Sequence, residues 1–171
     1  MTYQHPQPML LLLIASLLML AACQGGGSAQ GGGAQQNSVE STLRAIAAGN
    51  GTDLSVVYDD MHGLWGGQTI AVSGSGAYER KERARGDSAP TVTSGTVGQQ
   101  QIRQLAGLLV DLAAWEQRVP ERAPVPDESR ATLRIRVGTT EVTIWEWFND
   151  LPKNARIAQI RDLMRSFGGG T

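Results

Sequence analysis

Nucleophilic catalysis by a serine or cysteine needs a base beside the nucleophile, most often an imidazole. This sequence holds two histidines, His5 and His62, and one cysteine, Cys23. His5 and Cys23 flank an apolar N-terminal run, so any Ser–His arrangement in a folded domain has to use His62. The nucleophile-elbow spacing G-x-S-x-G does not occur, and Ser73-Gly74-Ser75-Gly76 reads as a hairpin turn. Asp59-Asp60-Met61-His62 offers hard and imidazole ligands, but one His without a second nearby is far from a zinc pattern. Neither a metal nor a cofactor is expected. Paired carboxylates can cleave glycosides, which makes Asp59 and Asp60 the competing catalytic candidates. Adjacent strand residues point to opposite faces, however, so these two cannot easily share a substrate if both lie in a strand. The domain is expected not to be an enzyme, with a carboxylate-based hydrolase as the alternative.

Side chains suited to binding are easier to find. Trp145 and Trp147 alternate with Ile144 and Phe148 and share one face of a strand. If the aliphatic face meets helices, the two Trp stand on the outer face beside Arg134 and Arg136 of a paired strand. Trp and Arg dominate interface hot spots, and an Arg plane stacked on a Trp ring is the structural alternative. Glu146 falls on the aliphatic face and requires a bulge or an ion pair with an Arg. Trp65, within Met61-His62-Gly63-Leu64-Trp65-Gly66-Gly67, either caps a core edge or inserts into a groove on another protein. The possible partner-binding set is therefore Trp65, Trp145, Trp147, Arg134 and Arg136.

The elements that must position these residues begin after residue 37. Asn37-Ser38-Val39-Glu40 has the spacing of a capping box, with Leu43 and Ile46 at helical intervals and a stop at Gly49. Strands are expected over 54–58, 69–73 and 77–85, with 91–97 as a candidate fourth and Ser73–Gly76 as one turn. Ile102, Leu105, Leu108, Leu109 and Leu112 predict an amphipathic helix over 99–117. Leu133, Ile135 and Val137 alternate with Arg134 and Arg136, and after Gly138-Thr139-Thr140 the alternation resumes over 142–148, which is a hairpin. Asp150-Leu151-Pro152 opens a last helix with Ile157, Ile160, Met164 and Phe167 inward. Strands in blocks broken by single helices predict an α+β domain, an antiparallel sheet of about five strands with helices on one face.

Of 171 residues, 41% are hydrophobic and 18% charged, with 15 Lys plus Arg against 16 Asp plus Glu. That balance excludes a basic footprint for nucleic acid and an acidic disordered tail. Residues 9–22 read MLLLLIASLLMLAA, about 14 apolar or small residues where a spanning helix needs about 20. The run ends in Leu20-Ala21-Ala22-Cys23, which resembles the lipobox of bacterial lipoproteins. The resemblance implies cleavage by signal peptidase II between Ala22 and Cys23, and a diacylglycerol thioether on Cys23, palmitate-type acyl chains included. Residues 1–22 are then the signal peptide, 23–37 a lipidated, Gly-rich tether spanning about 20–23 Å, and 38–171 one small domain. Gln24 stands where Asp would imply retention at the inner membrane, so the resemblance implies the periplasmic face of the outer membrane. A tethered envelope domain of this kind suits protein binding, by a partner in the same layer. The order of elements, with Gly66-Gly67 after the first strand and Leu151-Pro152 before the last helix, is similar to emfourin-type inhibitors of thermolysin-like metalloproteases. That similarity implies protease inhibition as an alternative.

Overall fold

A computed structural model describes residues 31–86, 89–118, 122–123 and 125–169. The expected signal peptide, the cleavage site at Ala22 and Cys23, and the first part of the tether lie outside the described residues. Helix α1 (Gly31–Ala47) is followed by β1 (Leu54–Asp59), β2 (Gly67–Ser73), β3 (Ala77–Arg83) and β4 (Thr91–Thr96). Then come α2 (Gln99–Asp111), the hairpin β5 (Arg130–Val137) and β6 (Thr140–Trp147), a 3-10 turn over Phe148–Lys153, and α3 (Ala155–Ser166). The strands form one antiparallel sheet in the order β4-β3-β2-β1-β5-β6. The chain is α+β, with six strands rather than about five, because β4 pairs with β3 along its whole length.

Alternation decides which face is covered. Leu54, Val56 and Tyr58 of β1, Ile70 and Val72 of β2, and Leu133, Ile135 and Val137 of β5 are buried among residues of the three helices. Those helical residues include Val39 and Leu43 of α1, Ile102, Leu105 and Leu109 of α2, and Ile157, Ile160 and Met164 of α3. Val57 and Ala71, one residue out of phase on β1 and β2, lie opposite each other on the other face. That second face carries no helix among the described residues.

Several boundaries differ from the periodic reading. Helix α1 begins at Gly31, so Asn37 lies inside it and is not its N-cap. Gly-rich sequence is a poor helix former, and nothing local announces that start. Helix α2 ends at Asp111 because Ala113 turns left-handed at φ 44, and Ala114 and Trp115 are buried beyond the turn. Asp150-Leu151-Pro152 lies in the 3-10 turn, while Asn154 caps α3 by accepting from the Ile157 amide. Glu146 needs neither bulge nor Arg: its two oxygens accept from the Trp147 amide and the Asn154 side chain.

A candidate binding site at one end of the sheet

The β1–β2 loop is built on a buried carboxylate. Tyr58 donates its hydroxyl to Asp60 Oδ2 at 2.6 Å, and the Gln68 amide donates to Asp60 Oδ1 at 2.6 Å. Burial first, and the Asp60 carboxylate second, push the Tyr58 phenol well above its ordinary pKa. Asp59 lies one residue earlier, on the opposite face, and accepts from the Met61 amide at 2.9 Å. The structure therefore does not bring the two aspartates together.

Beyond Asp60 the loop is held at each residue from His62 to Gly66. His62 and Gly66 exchange main-chain hydrogen bonds at 2.7 and 3.2 Å. The His62 ring accepts through Nδ1 from the amides of Leu64 and Trp65 at 3.1 and 3.3 Å. Arg83 donates to the carbonyls of His62 and Gly63 at 2.6 and 3.1 Å. Gly66 (φ +77) and Gly67 (φ +133) occupy backbone that side chains rarely adopt, and a Cβ on them would run into the carbonyls of Arg83 and Asp60. A loop fixed this firmly nevertheless leaves Leu64 72% and Trp65 50% exposed. Arg85 lies 3.8 Å over the Trp65 ring.

Facing this loop is a second one, after the proline-rich stretch. Glu128 receives both terminal nitrogens of Arg122 at 2.7 and 2.8 Å, with the Asn149 amide at 3.1 Å. Arg122, foremost, holds the Glu128 carboxyl down to about 2. Arg122 also reaches Asp150 at 2.7 Å, which ties the loop to the 3-10 turn. Between the two loops opens a cleft of about 380 Å³, lined by His62, Leu64, Trp65, Val125, Pro126 and Phe148 among others. His62 and Phe148 both line it, with ring centroids 5.6 Å apart. A larger hollow of about 480 Å³ between α2 and α3 is shallow, and no buried polar group converges on it. Among the described residues no group of three His, Cys, Asp or Glu is placed to hold a metal ion.

Trp145 and Trp147 stand on the helix-free face, opposite Thr132 and Arg130 of β5. They pack edge to face, with centroids 5.0 Å apart. The register decides which arginine covers them. Arg130 lies 3.9 Å from the Trp145 centroid and 5.0 Å from that of Trp147, whereas Arg134 opposes Thr143 and pairs with Glu141. Arg136 opposes Glu141, farther along the strand. Trp147 is only 7% exposed. The main-chain bond from the Phe148 amide to the Ser129 carbonyl joins this aromatic stack to the cleft. Trp65, Trp145 and Trp147 thus share one end of the sheet, while Arg134 and Arg136 do not belong to it.

Sequence reasoning missed Arg130, Phe148, Val125 and the Arg122–Glu128 clasp. Arg130 was findable, since it continues the two-residue phase of Arg134 and Arg136 backward through Thr132. The clasp gives no periodic signal. Gly66 and Gly67 hold the β1–β2 loop at positive φ, and Leu151 is buried in the 3-10 turn. No protein-family model matches the chain, and a search of curated proteins finds no match to it.

Proposed function

We propose that this chain is a lipid-anchored envelope protein whose folded domain binds a protein partner at the cleft end of the sheet, without catalysis. The observation that carries the reading is the β1–β2 loop, fixed by hydrogen bonds yet presenting Leu64 and Trp65 to solvent beside an apolar cleft. Interfaces draw their affinity from large anchors whose ordering cost is already met before contact. The Leu20-Ala21-Ala22-Cys23 run supports anchoring through Cys23 at the periplasmic face of the outer membrane. Attachment to a membrane raises the effective concentration of partners in the same layer.

The test is crosslinking and pull-down from intact envelopes, comparing the full chain with a Leu64→Ala, Trp65→Ala double variant and a Trp145→Ala, Trp147→Ala double variant. The first is expected to stay folded and lose the captured protein. Unchanged capture by a folded Leu64→Ala, Trp65→Ala variant would place the partner elsewhere and remove this reading. A second reading, protease inhibition in the manner of emfourins, is favoured by the same exposed loop, which has the form of an inserting segment. Inhibition of a thermolysin-like protease that disappears in Trp65→Ala distinguishes it.

A further inference from the structure

The two edges of the sheet are treated differently. At the β6 edge, Gln117 accepts from the Trp145 amide at 2.8 Å and donates to the Trp145 carbonyl at 3.0 Å. The side chain of Gln35 donates to the Glu141 carbonyl at 3.3 Å on the same edge. Side-chain amides thus occupy the positions that another strand would fill. The β4 edge has no such cover. All six residues, Thr91-Val92-Thr93-Ser94-Gly95-Thr96, are exposed, and among the described residues no side chain bonds their main chain. The strand also lacks the usual protections of an open edge, having no charge, no proline and no bulge.

Which groups lie open follows from the ladder. Ala77 pairs with Thr96, and the next amide, that of Val97, donates to the Gly76 carbonyl at 2.9 Å. Residues alternate between neighbours in an antiparallel ladder, so Thr91, Thr93 and Gly95 bond toward β3. Val92, Ser94 and Thr96 therefore direct their amides and carbonyls to the free side. We propose that β4 pairs antiparallel with β4 of a second copy of this chain about a twofold axis through Ser94. In this register Ser94 faces Ser94 of the second copy and Val92 faces its Thr96. Every outward amide then meets an outward carbonyl, residues directly opposite lie on the same face, and no charges oppose each other. The two sheets join into one of twelve strands with all helices on one side. An extended segment of another protein could satisfy the same main chain, but the self-matching of outward groups, small side chains and zero charge in β4 favours the second copy.

The experiment uses the full chain in detergent. With Cys23→Ser and Ser94→Cys, the only thiol lies at the axis, and mild oxidation is expected to give a disulfide-linked pair. Arg136→Cys in the same background, exposed but far from the axis, is the control and should remain single. Ser94→Pro removes an outward amide while leaving the bonds to β3 intact, and is expected to weaken association by about tenfold in sedimentation velocity. A chain that sediments as a monomer at every soluble concentration overturns the proposal, as does a Ser94→Cys variant that crosslinks no faster than the Arg136→Cys control. Crosslinking of the Ser94→Cys variant to a different protein without self-pairing overturns it as well.

Discussion

Asp60 receives the Tyr58 hydroxyl and the Gln68 amide in a site closed to water, so its carboxylate is satisfied only while both donors stay in place. Tyr58→Phe removes one donor without changing shape. A buried acceptor left short of a partner costs about 1–3 kcal/mol, and urea unfolding should show a loss in that range. Leu64 and Trp65 are the contrasting case, because side chains already in water lose little on truncation. Leu64→Ala should change stability by no more than about 0.5 kcal/mol in the same assay. A loss above that would mean Leu64 packs against the domain and is not free for a partner. His62, the only imidazole of the folded part, spends its Nδ1 on two loop amides, a structural task that its residue type alone did not reveal.

Gly66 shows why the loop between β1 and β2 is an element in its own right. Gly66→Ala forces a side chain against the Arg83 carbonyl at positive φ, and is expected to destabilise by more than about 1 kcal/mol and to broaden Trp65 fluorescence. The facing loop depends on pH. The Glu128 carboxyl falls from its ordinary 4.5 to about 2 on folding, so its contribution is fully present above that ordinary value. It is lost as pH falls from about 4.5 toward 2. The stability difference between the wild type and Glu128→Gln, followed by denaturation, should be flat at neutral pH and vanish toward pH 2. These elements differ in how openly the sequence announces them. The inward face of β5 was legible, because Leu133, Ile135 and Val137 repeat with the strand's own period. So was the outward placement of Trp145 and Trp147. The start of α1 was hidden by Gly31-Gly32-Gly33, whose propensity opposes helix, and the clasp of Arg122 on Glu128 arises in a Pro-rich stretch with no period. Long-range pairs such as Gln117 with Trp145 leave no local pattern to read.

For the whole molecule, attachment is the first matter. Removing the thiol is expected to abolish acylation: metabolic labelling with palmitate should mark the wild type and not Cys23→Ser, and retained label would exclude the thioether at that residue. The second matter is how many copies can join. A sheet with two bare edges would accept a neighbour on each side and grow without end, whereas closed symmetry consumes the one edge left bare among the described residues and stops. Gln117 is therefore a limit on stoichiometry. Its amide is both donor and acceptor to Trp145, and a carboxylate is acceptor only. Gln117→Glu is expected to set an oxygen against the Trp145 carbonyl and release that side of the sheet. On electron micrographs of concentrated protein, the consequence would be elongated assemblies where the wild type yields compact particles.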